Sequence, residues 1–224
     1  DLVCSRDWET LLRQTQLSYD GEIVKTALPL TVAQVEPALP PLGVAASIDA
    51  AGLATGLVKD FLLDPGLTLL EEEDTEETAP PPRMHGVPEE LARLGVLLEE
   101  RGIVVELKAS QILQRRGKAV LNSWFGVEKS KDKKIVVEGE EVPLMRLIMN
   151  LMNSNLWFGE APGDIEDLPS AGQWHSMTLL CFEIILFSSS DRRCFFYVFR
   201  LPACWQSLMA FTKVGGKHYG SAVI

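Results

Sequence analysis

Asp191 follows an apolar run, MTLLCFEIILF at 177–187, and three serines. Two arginines come directly after it, and then four rings: Phe195, Phe196, Tyr197 and Phe199. A carboxylate at a strand end is held rigidly, faces an open cleft and is a hard oxygen ligand for a divalent cation. A second group lies in RLIMNLMNSN, residues 146–155, where Arg146 sits on an apolar strand with Asn150 and Asn155 behind it. A third is Lys129, which closes FGVEK at the end of another strand. Arg and Lys both neutralise phosphates, Arg through a bidentate fork and Lys as a point charge. Taken singly, each residue has a plainer reading. Asp191 can cap a helix. Arg146 can be a strand-edge base with a carboxylate partner. Lys129 is one of four lysines in KSKDKK, a solvated turn. Phe196 can be a core ring, and Phe195 or Tyr197 takes its place under a shift of one residue.

The order and spacing of the three groups resemble the reverse transcriptases of retroelements. Phe196 lies five residues after Asp191, and Phe211, the end of MAF, lies twenty after it. The resemblance covers about 120–211, less than half of the chain. It implies a fingers hairpin in which Lys129 and Arg146 contact the phosphates of a deoxynucleoside triphosphate. Asn150 stands where the family often has Asp, and Asn155 would help to fix the end of the hairpin. Asp191 would be the catalytic carboxylate and first metal ligand of the palm. Phe196 would be the ring under the sugar, leaving no room for a 2′-hydroxyl. The implied activity is RNA-directed DNA polymerisation on an RNA or DNA primer-template, by two-metal nucleotidyl transfer with Mg2+ or Mn2+. The family also needs a turn with paired aspartates, and the sequence holds no two consecutive aspartates. The start at Asp1 and the ending GGKHYGSAVI suggest a piece of a longer polymerase, inactive as this chain. The alternative is a non-catalytic remnant that binds protein or nucleic acid.

The elements that must position these residues are legible in part. PEELARLGVLLEERG, residues 88–102, predicts a helix with Pro88 in its first turn, Glu89 and Glu90 at its positive end and Gly102 as its stop. IVVELKAS, AVLNSWFGVEK and the segment after KSKDKK read as strands. Upstream, residues around Trp8–Leu17 and the stretch AASIDAAGLATGLVKDFLLDP predict helices, the latter capped by Ser47 or Asp49 and stopped by Pro65. EEEDTEETAPPP, residues 71–82, reads as a solvated linker: like charges repel and prolines deny it helix or sheet. The expectation is therefore an α+β chain in four parts. These are a helical region (1–70), an acidic, proline-rich linker (71–82), a fingers-like hairpin region (83–165) and a partial palm (166–224).

Charge and composition narrow the classes. The 224 residues carry a formal net charge of −10, which argues against a nucleic-acid binder when taken whole. The average hides a split: residues 60–100 hold 12 acids and 2 bases, whereas residues 108–155 hold 9 bases and 5 acids. Four cysteines with no CxxC spacing predict reduced thiols and an intracellular protein, in cytoplasm or nucleus. The longest apolar run, 11 residues with Glu183 inside, is too short for a membrane helix, so no membrane is expected.

Overall fold

The computed structural model describes residues 26–75, 81–130, 132–159 and 194–224. The expected helix near Trp8–Leu17 and the apolar run at 177–187 lie outside them. Among the described residues the chain is mixed α+β, with small sheets around one main core.

The longest helix, Pro88–Glu100, forms for the reasons its sequence gives. Pro88 opens it, Glu89 and Glu90 stand in its first turn, and Gly102 comes after its end at φ +73°. Leu91, Leu94, Gly95 and Leu98 recur at helical spacing and are buried. Gly95 is required by packing, since a Cβ there would sit 2.9 Å from the ring of Tyr219. Tyr219 belongs to the last strand, so the missing side chain on the helix is a seat for a ring on the sheet.

The strands are short. β1 (Ile48–Asp49) runs parallel to β9 (Phe199–Arg200), and β2 (Val104–Leu107) pairs antiparallel with β10 (His218–Ser221). β3 (Gln114–Arg115) and β4 (Lys118–Ala119) form a tight hairpin. Its two turn residues, Arg116 and Gly117, are both at positive φ, +51° and +70°, the turn geometry that matches strand twist. β5 (Ser123–Glu128) pairs antiparallel with β8 (Met145–Asn150). Between them β6 (Lys134–Val137) and β7 (Glu140–Pro143) form a second hairpin. Lys129 N–H donates to the Leu144 carbonyl at 2.9 Å and Leu144 N–H to that of Lys133 at 2.9 Å, so the β6–β7 hairpin continues the β5–β8 ribbon outward.

Two upstream expectations change. The stretch at 45–65 is two helices, Ala50–Leu53 and Gly56–Leu63, because the backbone turns extended at Ala54 and Thr55. Ser47 donates its hydroxyl to the Val44 carbonyl, and Asp49 precedes the first helix without a side-chain capping bond. Pro65 starts a 3-10 turn after the second helix. The region before residue 71 is also joined to the chain beyond the acidic run. Leu30, Val35, Leu39 and Ala45 share one core with Leu91, Trp124, Leu147 and Phe211. Apolar area that short helices cannot bury among themselves is buried against the ribbon.

Candidate functional site

The β5–β8 ribbon sorts its residues by the two-residue period of a strand. Trp124 faces Met149, Gly126 faces Leu147 and Glu128 faces Met145. Trp124, Met145 and Leu147 are buried, so this is the core side. Trp124 anchors it, with ring centroids 5.2 Å from Phe211 and 6.1 Å from Tyr219. Phe211, read from sequence as the end of a family motif, is thus a core ring. On the other edge of β5 the backbone of Leu28 exchanges two hydrogen bonds with Gly126, at 2.7 and 3.0 Å. A Cβ on Gly126 would come within 2.9 Å of the Met145 sulfur and 3.2 Å of the Leu28 carbonyl oxygen, so glycine permits this close approach.

The opposite side carries the candidate residues. Ser123 faces Asn150, Phe125 faces Ile148 and Val127 faces Arg146. Lys129 lies two residues beyond Val127 and therefore shares its side. Arg146 is exposed and Lys129 half-buried. Among the described residues neither side chain forms an ion pair with a carboxylate. The strand-edge reading of Arg146, which needed such a partner, has none there. Two cations on one face, without a carboxylate partner among the described residues and backed by a packed core, can accept a polyanionic ligand.

The three consecutive rings separate. Phe195 to Val198 form a 3-10 turn after Cys194, itself at φ +58°. Phe196 is 69% exposed and packs edge-on against Phe195. Tyr197 packs on the main core, and its carbonyl accepts from Ala46 N–H at 2.9 Å. Burial pushes the Tyr197 phenol up to about 12; Cys194 adds to the rise and the nearby Arg146 charge opposes it. Tyr197, one residue from the ring singled out by spacing, lies within electrostatic reach of Arg146.

Asn150 closes the ribbon: its Oδ1 accepts from Met152 N–H at 3.1 Å, where β8 gives way to the short helix Met152–Asn155. Asn155 is exposed, and the expected tie is made by its neighbours instead. Asn153 Nδ2 donates to the Leu121 carbonyl at 2.7 Å. Ser154 Oγ donates to the Leu208 carbonyl at 2.6 Å and accepts from Asn122 Nδ2 at 2.7 Å. Asn122 Oδ1 accepts from Ser154 N–H at 3.1 Å, and Asn122 Nδ2 also reaches the Ala210 carbonyl at 3.0 Å. Both residues are fully buried, so this satisfied network holds the ribbon to residues 208–212. Sequence reasoning missed Asn122 and Ser154. For Asn122 the signal was the polar pair Asn122–Ser123 directly before the buried Trp124, where a strand would otherwise be apolar.

Asp191, the assigned metal ligand and catalytic carboxylate, lies outside the described residues. Among the described residues no three His, Cys, Asp or Glu side chains come together as a metal site. One assigned carboxylate is fewer ligands than two hard divalent ions need, so the residues named here do not make up a two-metal centre. No described helix is long and apolar enough to cross a membrane. No family model matches the chain, and a search of curated proteins finds no match.

Proposed function

We propose that the chain carries the fingers and the start of the palm of a retroelement reverse transcriptase, and that its ribbon binds the triphosphate of an incoming deoxynucleotide. The observation that carries this reading is the pairing of Arg146 and Lys129 on one outward face, neither with a carboxylate partner among the described residues. The β6–β7 hairpin extends from the same ribbon, as a fingers hairpin should.

In this reading Arg146 grips two phosphate oxygens through its fork. Lys129, at the root of the hairpin, adds a second positive charge one step further out. Asn150 holds the end of β8, which fixes the direction of the strand that bears Arg146. Asp191 and Phe196 keep the metal and sugar roles that the resemblance gives them. Binding and orientation are what this chain supplies. Nucleotide addition needs the paired aspartates, which are absent from these 224 residues.

Titration of the full chain with a deoxynucleoside triphosphate tests the proposal. Binding is expected, weakened at least tenfold in Arg146→Ala and less in Lys129→Ala, with no primer extension in Mg2+ or Mn2+. No nucleotide binding, or binding indifferent to Arg146, would reject it. Primer extension by this chain would reject the claim of inactivity.

A second reading keeps the basic surface without the chemistry. The exposed β6–β7 hairpin, with Lys133 and Lys134 at its base, favours it. It predicts salt-dependent binding of nucleic acid that weakens when Lys131, Lys133 and Lys134 become Glu, with no nucleotide binding at Arg146.

A further inference from the structure

The β3–β4 hairpin tip holds a second pair of cations, and it is built differently from the ribbon. The guanidinium carbons of Arg115 and Arg116 each lie 5.6 Å from the centroid of the Trp157 ring. Trp157 is buried, and its carbonyl accepts from Leu70 N–H at 2.8 Å. Both charges thus lie against one buried ring.

The start of the acidic run lies across this tip. Glu72 Oε1 accepts from the backbone N–H of Arg116 at 2.7 Å. The Arg116 guanidinium donates to the Glu72 carbonyl at 3.1 Å and to the Thr75 carbonyl. Arg115 donates to the Leu70 carbonyl at 3.4 Å. Among the described residues neither guanidinium forms an ion pair with a carboxylate. Arg115 Nε is buried with no hydrogen-bond partner. An unmade bond on a buried cation is costly, and among the described residues the partners of both guanidiniums are neutral carbonyls. With Glu72 displaced, the tip offers a turn amide and two oriented forks. That donor set suits tetrahedral oxyanions carried on neighbouring units of a polymer.

We propose that the Arg115–Arg116 tip binds phosphates of a nucleic-acid backbone, and that residues 70–75 lie on it as a built-in competitor, with the Glu72 carboxylate holding the place of one phosphate. This rests on the reading of the chain as one that handles nucleic acid. The contacts of Glu72 are largely exposed, so they are weak enough to be exchanged for a ligand of higher charge. The surrounding segment, 108–155, carries the basic excess that would draw such a ligand in.

The test is fluorescence anisotropy of a labelled single-stranded DNA oligonucleotide with the full chain, at low and at raised salt. Glu72→Gln removes the competitor and is expected to tighten binding several-fold. Glu73→Gln removes the same charge from the same run, without the contact, and is expected to stay near the unsubstituted chain. Adding Arg116→Ala to Glu72→Gln is expected to cancel the gain, with thermal unfolding showing that the double variant folds. An equal gain in Glu73→Gln, no gain in Glu72→Gln, or a gain that survives Arg116→Ala overturns the proposal. Inorganic phosphate matched in phosphate groups should compete poorly; equal competition overturns the backbone assignment. Nucleotide titration at Arg146 is independent of all this. If it succeeds while Glu72→Gln does nothing, only the tip assignment falls. If the oligonucleotide binds neither form, the tip assignment falls, and loss of nucleotide binding as well removes the polymerase reading.

Discussion

The two arginine-bearing surfaces carry the same kind of charge and live under opposite conditions. Arg146 is the second residue of a six-residue strand, opposite Val127, with a packed core behind it. Arg115 and Arg116 sit at the end of a hairpin whose strands have two residues each, stacked on a tryptophan and crossed by an acidic segment. The ribbon holds its cation in place through register, so the cation needs no partner to be positioned. The tip lacks register to speak of, and its cations are held by the ring beneath and the carbonyls above. A surface of the first kind is ready for a ligand. A surface of the second kind must be vacated first.

That contrast can be broken or sharpened by experiment, beginning with the largest effect. Trp124→Ala removes the ring on which the ribbon rests and should cost about 3–5 kcal/mol in denaturant unfolding. If it costs less than about 1 kcal/mol, the ribbon is not held by its core side and the contrast fails. Alkali comes next. The Tyr197 phenol is neutral in the fold to about 12 rather than about 10, so its contribution is fully present below pH 10 and is lost as pH rises towards 12. The size of the loss is roughly 2–3 kcal/mol. Unfolding free energies of the unsubstituted chain and Tyr197→Phe, compared at pH 9 and pH 11, should diverge with the tyrosine form falling faster.

Asn122→Ala should cost about 1–3 kcal/mol, because it strips buried Ser154 N–H of its acceptor. Arg116→Ala, by contrast, removes contacts that are exposed or only partly buried and should cost no more than about 1 kcal/mol, shrinking as salt is added. Smallest of all, Arg146→Ala should leave stability within about 0.5 kcal/mol while weakening nucleotide binding. A clear stability loss there would reveal a structural partner and erase the difference between the two surfaces.

How much of this the sequence could show divides along the same line. The strands at 119–129 and around Arg146 were readable as apolar runs, but which side each residue takes was not, since the runs do not alternate and the sides follow from the pairing of β5 with β8. The Pro88–Glu100 helix was readable from its caps and spacing. The anchoring of Glu72 was not, since Arg115 and Arg116 grip that segment mostly by its own carbonyl oxygens at residues 70, 72 and 75, and backbone atoms leave no trace in residue types. Charge repulsion alone predicted a wholly solvated run. The tie expected of Asn155 is made by Asn153 for a related reason: in a one-turn helix, which of two nearby asparagines faces inward depends on where the helix starts. The join between 26–45 and the ribbon is carried by apolar residues whose partners lie far along the chain, and spacing reports only near neighbours.

The pairing of β2 with β10 sets Val104 against Ser221 and Leu107 against His218, partners separated by more than a hundred residues. At a synthesis rate of about 5–20 residues per second, a growing chain holds β2 for roughly 5–20 s before its neighbour exists. During that interval the edge of β2 and the notch at Gly95 both stand open to the cell. Whatever shields a nascent polypeptide must act here, and a slow stretch of translation before β10 would lengthen the exposure rather than help it.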